Sequence, residues 1–270
     1  MKLVYGPVPS WRLGRSLGVD PLGGTCKRCS FDCVYCQLGP TPQGPVLRGT
    51  WADPAVLADE LWEARDVAAD YVTFSGMGES TLATNLDALI RMVRKFRDTP
   101  VAILTNASLL SDKSIHSTLN LVDYVILKLD AANDETLLSV NRPRTPCTAA
   151  EIMEGIRSFR ETFAGRLALQ MMFIAANAAQ AEPLAALARS LRPDEVQLNT
   201  PLRPSPTPPL SSEKMAEIAR VFEGLPIRQV YAVPKATVVA LDPAATRLRR
   251  PEAGTVPARY GGDTEPSPLG

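Results

Sequence analysis

The sequence predicts an α/β protein whose parallel strands curl into a closed or partly closed barrel. From residue 71 onward, short apolar runs alternate with segments whose apolar residues recur every three or four positions, the pattern of successive right-handed βαβ units. About six such units follow one another, which suits a barrel better than an open sheet. Polar residues also sit at the ends of otherwise apolar runs, where parallel barrels gather their ligand-binding groups. Periodicity leaves the degree of closure open.

Taken in order, residues 1–25 are rich in Gly and Pro and read as an extended lead-in with a first short strand near 16–20. A cysteine-bearing loop follows. Residues 54–66 carry Val56, Leu57, Leu61 and Ala64 at helical spacing, with Asp53 as N-cap. Strands are expected at 71–75, 101–105, 124–129, 167–174 and 195–199. Helices are expected at 82–96 (stripe Leu86, Leu89, Ile90, Val93), 113–119, 149–162 (Ile152, Ile156, Phe159), 182–191 and 212–222. Residues 228–233 and 236–241 read as a further strand or hairpin. The barrel thus occupies 26–245, and 246–270 reads as a disordered tail: beyond Pro251 its apolar residues are Val256, Tyr260 and Leu269, besides small residues.

Length and composition (270 residues, 45% hydrophobic, 21% charged) fit one large domain. Lys plus Arg and Asp plus Glu number 29 each, so net charge makes no case for nucleic acid or membrane. No apolar run is long enough to span a bilayer, and the opening Met-Lys-Leu-Val-Tyr-Gly-Pro has no apolar core of a secretory leader. A cytoplasmic protein without membrane contact is expected.

Four of the five cysteines crowd into positions 26–36, in the run Cys26-Lys27-Arg28-Cys29-Ser30-Phe31-Asp32-Cys33-Val34-Tyr35-Cys36. Such crowding points to metal or redox chemistry rather than a disulfide framework. Structural zinc sites usually separate two knuckles by a dozen or more residues; here three residues separate Cys29 from Cys33. A [4Fe–4S] cubane, each iron taking its own thiolate, is wrapped more easily by a short loop. Four ligands would suit electron transfer. Three, Cys29, Cys33 and Cys36, would leave one iron open for substrate chemistry, with Cys26 a free thiol nearby.

Cys29-x3-Cys33-x-Tyr35-Cys36, with its aromatic before the last cysteine, resembles the signature of the radical S-adenosylmethionine (SAM) superfamily. The resemblance implies a partial (β/α)6 TIM-like barrel of radical SAM type, a [4Fe–4S] cluster on Cys29, Cys33 and Cys36, and S-adenosyl-L-methionine chelated to the open iron. It further implies reductive cleavage of SAM to methionine and a 5′-deoxyadenosyl radical that abstracts hydrogen from a substrate. Ser75-Gly76-Met77-Gly78-Glu79-Ser80 resembles the Gly-Gly-Glu element that holds the SAM amino group, with Ser80 where a Pro is usual; standing alone it is equally an ordinary βα turn capped by Ser80. The opening residues 6–18 resemble an uncharacterised group related to the tRNA wybutosine-synthesising radical SAM enzymes, over roughly Tyr5 to Ala240.

Asn106, Lys128, Asp130, Gln197 and Asn199 close successive strands. With Tyr35, Gly76, Met77, Gly78 and Glu79, the set Asn106, Lys128, Asp130 and Asn199 is expected to bind SAM; Lys128 is equally able to form a structural ion pair. Arg142 and Arg203, in loops after the fourth and sixth strands, suit carboxylate or phosphate contacts to substrate or the SAM carboxylate and are equally able to be exposed loop arginines. Arg12 and Arg15 are candidates to border the substrate mouth. None of the four receives an assigned role. His116 is expected at the surface, Cys147 as a bystander thiol, and Arg247, Arg249 and Arg250 as a solvated charge run. No catalytic residue is assigned. Only Cys147 lies downstream of the loop, which disfavours auxiliary clusters, and no flavodoxin-like domain fits the remaining length, so the electron donor is expected to be a separate flavodoxin or ferredoxin. The substrate is unassigned, with tRNA a candidate through the wybutosine relationship. The competing function is a non-catalytic electron carrier with all four cysteines ligating.

Overall fold

A computed structural model describes residues 2–234 and 236–251. Eight strands form one sheet in sequence order: β1 Val4–Ser10, β2 Gly14–Val19, β3 Tyr71–Phe74, β4 Val101–Thr105, β5 Tyr124–Lys128, β6 Arg166–Met172, β7 Glu195–Asn199 and β8 Ile227–Gln229. β1 runs antiparallel to β2, and every later neighbour is parallel, with pairings such as Leu17↔Val72 and Val125↔Leu167. β1 and β8 are the two edges, so the sheet is a partial barrel.

Helices α1 Pro54–Glu63, α2 Leu86–Phe96, α3 Lys113–Leu119, α5 Ala149–Thr162, α6 Ala181–Leu191 and α7 Ser212–Val221 cover its outer face, while the short α4 Asp134–Thr136 leads into the turn 137–141 and α8 Pro243–Arg249 packs on β1. Alternation along each strand separates two environments. Val125, Leu127, Leu167, Leu169, Val196 and Leu198 point outward into the main core with the helix stripes, including Leu89, Ile90 and Val93 of α2. Each such buried side chain contributes about 1.5–3 kcal/mol. Tyr124, Ile126, Ala102 and Ala168 point inward and, with Leu13, form a small floor inside the barrel. Above that floor the inward positions include the polar Lys128, Gln170 and Asn199 beside the apolar Leu104 and Met172.

Several sequence expectations need correction. The lead-in holds a full hairpin, β1 with β2. Pro7 and Pro9 argue against a strand, but an edge strand tolerates them. Glu60 of α1, itself buried, accepts the Leu3 and Val4 backbone amides at 2.7 Å each and ties β1 down. The strand expected near 228–233 shortens to three residues, and 236–241 adds none. His116 is buried rather than exposed, its ring edge-on to Phe159 of α5 and its Nε2 2.7 Å from the Leu110 carbonyl.

Of the charge run 247–250, Arg247 is exposed as expected, but Arg249 is buried and Arg250 half-buried. Helix α8, capped by Asp242, packs on β1. Arg249 is fully buried, pairs with Asp20 at 2.8 Å, donates to the Lys2 carbonyl at 2.7 Å and lies 5.0 Å over the Tyr5 ring. The tail expected from 246 therefore starts inside a packed helix, and its remainder, 252–270, lies outside the described residues.

Candidate functional site

The cysteine loop lies across the carboxyl ends of β3, β4 and β5. Two backbone bonds dock it on the glycine turn, Arg28 N to Met77 O at 2.8 Å and Glu79 N to Arg28 O at 2.9 Å. The approach is so close that a Cβ on Gly78 (φ +145°) would stand 1.6 Å from the Arg28 carbonyl oxygen, so only glycine fits. On its other side the loop is held by the turn Leu137–Asn141: Asp32 N reaches Asn141 O and Val34 N reaches Val140 O, both at 3.0 Å.

The four cysteines differ in setting. Cys26 is exposed, whereas Cys29, Cys33 and Cys36 are partly buried. Asn106 Nδ2 lies 3.7 Å from the Cys29 sulfur and Asn141 Nδ2 3.5 Å from the Cys33 sulfur, so each sulfur has an amide donor. Burial pushes both thiols up, Cys29 well above the thiol range. Lys27 is buried beside them. Burial alone would lower its pKa, but Cys36, Cys29 and Cys33 outweigh it and the ammonium is held above its ordinary value. Its Nζ donates to the Gly39 carbonyl at 2.8 Å and lies 3.7 Å from Asp32. A buried cation and two amides around three sulfurs is the donor chemistry that a thiolate-bound anionic cluster requires. Among the described residues no group of three or more His, Cys, Asp or Glu side chains suits a single metal ion; a cubane makes a different demand, one thiolate on each of three irons.

Around Tyr35 a buried network forms. Its hydroxyl donates to Asp130 Oδ2, which also accepts Asn141 Nδ2 at 2.8 Å and lies 3.4 Å from Lys128 Nζ. Asp130 Oδ1 accepts the Met172 amide at 2.7 Å. Lys128 Nζ donates to the Tyr35 oxygen at 3.0 Å and sits 4.8 Å over its ring. Burial, then the Asp130 charge, raises the Tyr35 pKa well above a free phenol's, which keeps it protonated as donor.

Glu79 is buried and fully engaged. Oε1 accepts Thr81 N (3.1 Å), Thr81 Oγ1 (2.7 Å) and Thr105 Oγ1 (2.7 Å), and Oε2 accepts Asn106 N (2.7 Å). It braces the end of β4 and with it the amide that faces Cys29.

Inside the barrel is a chamber of about 270 Å³ lined by eighteen residues. Of the expected SAM-binding set, Tyr35, Lys128 and Asn199 line it, together with Cys36. Asn106 and Asp130 face a far smaller pocket that Lys128 shares, and the glycine turn 76–79 lines neither. Gln197 lies deeper, donating to Tyr124 and Glu195. Of the four arginines without a role, Arg12 and Arg203 line the chamber. Arg15 pairs with Asp70 on the surface at 2.6 Å, and Arg142 is exposed.

Residues 25–185 match the radical SAM superfamily, more than half of the chain. The chain belongs to the radical SAM superfamily. A UPF0026 protein of Synechocystis sp. is 39% identical over 204 residues, 75% of this chain and 77% of that one. A UPF0026 protein of Methanocaldococcus jannaschii is 32% identical over 229 residues, 82% and 70%. Among solved structures, the fold is shared with Streptococcus suis SuiB bound to S-adenosylmethionine (TM-score 0.60, 14% identity), with 78% of this chain covering 49% of that one; this chain thus spans about half the length of that structure. Radical SAM membership implies enzyme activity, an iron–sulfur cluster, SAM and a source of electrons. Among the described residues no helix is long and apolar enough to cross a membrane.

Sequence reasoning missed Asn141, Lys27, Asp20 and Gln170. Lys27 adjoins the motif and its sign was a usable signal. Asn141 ends a π-helical turn that has no apolar periodicity to locate it. Asp20 closes β2, a strand end not weighed, as the end of β6 with Gln170 was not; its Oδ1 receives the Leu22 amide at 3.1 Å and the Met77 amide at 3.3 Å.

Proposed function

We propose that this radical SAM protein holds a [4Fe–4S] cluster on Cys29, Cys33 and Cys36, with the fourth iron open to SAM, and modifies a substrate in the chamber with an external flavodoxin or ferredoxin as electron donor. When bound, the cluster and SAM supply reductive sulfonium cleavage and a 5′-deoxyadenosyl radical that abstracts hydrogen. The observation that carries this reading is the unequal seating of the cysteines: three are partly buried, two of them with an amide donor, while Cys26 is exposed.

The chain's own residues then divide the work. Asn106 and Asn141 donate to sulfur, and Lys27 offsets negative charge from below. Glu79, its oxygens already holding Thr81, Thr105 and Asn106, acts as a brace, so the turn Gly76, Met77, Gly78 offers SAM's amino group backbone rather than a free carboxylate. Lys128, 20% exposed and neutralised by Asp130, and Asn199 present polar ends to the chamber, where SAM's ribose or carboxylate would lie. Tyr35 holds Lys128 in place. The floor of Leu13, Tyr124 and Ile126 limits how deep a substrate enters.

Anaerobically reconstituted protein given dithionite and SAM should form 5′-deoxyadenosine. None above a cluster-free control, with the cluster intact, would remove this reading. Cys26→Ala should retain normal iron and Cys33→Ala should lose it; an equal loss in both would favour a four-cysteine electron carrier.

A further inference from the structure

The chamber wall carries a charge imbalance. Its lining includes Arg12, Arg203, Arg250 and Lys128 and no acidic side chain. Lys128 has Asp130 behind it. Among the described residues the three arginines have no ion-pair partner within 4.0 Å. Arg12 Nε is buried without an acceptor, its guanidinium 5.2 Å over the Trp11 ring. Among the described residues Arg203 reaches only Gln37 Oε1, at 3.5 Å. Arg250 donates to neutral oxygens, Ser75 Oγ at 2.9 Å and the Arg249 carbonyl at 3.0 Å. The carboxylate that could have answered Arg12, Glu195, is already taken by Arg166 at 2.6 Å and Arg228 at 3.7 Å.

These groups come from three separate parts of the chain: the β1–β2 turn, the loop after β7 and the end of α8. Their convergence on one cavity is a product of the fold. The guanidiniums also feel one another. Burial first, then Arg250, pulls Arg12 down to about 10; burial, then Arg250 and Arg12, pulls Arg203 down to about 9. Forcing three cations into one partly buried space without counterions is costly, and the cost is offset when an anion enters. Guanidinium forks match the planar oxygen pairs of phosphate, and three of them suit a dianion better than one carboxylate.

We infer that Arg12, Arg203 and Arg250 form a binding site for a phosphate group carried by the substrate. The substrate assignment rests on the proposed function; the anion site itself does not. Gln37, next to Cys36, joins the two regions, receiving Arg203 on its oxygen and donating to the Arg249 carbonyl at 3.0 Å. A phosphate held on this wall would fix which part of the substrate faces the cysteine loop.

The test is calorimetric titration of the reconstituted protein with inorganic phosphate, with succinate as carboxylate control, in the absence and presence of saturating SAM. Phosphate should bind once per chain, more tightly than succinate, and still bind when SAM is present. Arg12→Gln and Arg203→Gln should each weaken it about tenfold or more. Arg203→Lys, which keeps the charge without the fork, should fall between. Arg220→Gln, on the exposed face of α7, should leave it unchanged. Phosphate that does not saturate, that is affected alike by all four substitutions, or that is displaced by SAM would overturn the inference, the last by giving these arginines to the SAM carboxylate. Iron content and cluster absorbance on the same samples separate the two readings. A phosphate site in protein that makes no 5′-deoxyadenosine sustains the anion site and removes the proposed function; turnover without a phosphate site does the reverse.

Discussion

The cysteine loop with its supports and the arginine wall of the chamber solve electrostatics in opposite ways. On the cysteine side the buried charges are answered within the chain: Lys27 by Asp32 and the Gly39 carbonyl, Lys128 by Asp130, Glu79 by four donors. On the arginine side three cations face one space with neutral partners only. A self-satisfied wall keeps its geometry whether or not a ligand is present, which is what a site that must hold sulfurs at fixed positions needs. An unsatisfied wall reaches its lowest free energy only when occupied, which is what selects a ligand. The difference separates the half of the site that is scaffold from the half that recognises.

If the cysteine wall is scaffold, damage to it should cost stability as well as cluster. The largest effect is expected from Gly78→Ala, where the new Cβ meets the Arg28 carbonyl and the backbone stays at a positive φ. Strain and overpacking together should cost roughly 3–6 kcal/mol, seen as a collapse of the urea midpoint and of iron bound on reconstitution. A wild-type midpoint would show that the loop does not dock there. Next comes Arg249→Met, which leaves Asp20 charged and buried without its partner. A loss of about 3–5 kcal/mol is expected, and adding Asp20→Asn to the same chain should recover part of it. Because α8 also presents Arg250 to the arginine wall, this variant should weaken phosphate binding while cluster absorbance survives at temperatures where the fold persists. Equal loss of both would mean that the two walls are not separable.

What could be read from the sequence follows the range over which each feature is encoded. The cysteine loop and the glycine turn on which it docks stood out in the sequence because their spacing is local; the assignment of Cys29, Cys33 and Cys36 as ligands is part of the proposed function. The β3–β7 strands and the α2 stripe were legible because burial on one face imposes a period on neighbouring positions. Asp20 and Arg249 were not: they lie 229 positions apart, and nothing near either announces the other, so Arg249 read as one of three solvated arginines. His116 read as exposed because its own helix gives no reason to bury it; the reason is Phe159, on α5. The arginine wall was legible only in part: Arg12 and Arg203 stood out as candidates for the substrate's side, but their meeting with Arg250 follows only once the sheet has curled.

A smaller effect is expected from Asn141→Leu, which tests whether the cysteine wall tunes as well as supports. Asp130 would lose a donor at 2.8 Å and the Cys33 sulfur an amide at 3.5 Å. The cost should be about 1–3 kcal/mol. Fewer hydrogen bonds to sulfur should also move the cluster's reduction potential to more negative values, followed by electron paramagnetic resonance during a redox titration. An unchanged potential with lowered stability would make Asn141 a brace of Asp130 alone.

The smallest effect lies far from both walls and sets the scale against which they are judged. Asp123 precedes β5, accepts the Val101 amide at 2.6 Å and pairs with Arg94 at 2.8 Å, yet remains partly exposed. Burial pushes its carboxyl up, but Arg94 and the Val101 amide outweigh that and hold it below the usual aspartate value. The folded protein therefore prefers the ionised form more than the unfolded chain does, so the contribution is fully present above the unfolded pKa of about 3.9 and fades as pH falls through the lower folded value. Asp123→Asn should cost under about 1 kcal/mol at neutral pH, and that difference should vanish in acid urea titrations. A pH-independent difference would assign the loss to the changed hydrogen bond with Val101 rather than to charge, and a loss as large as that of Arg249→Met would show that solvent exposure does not separate surface pairs from the buried one in this fold.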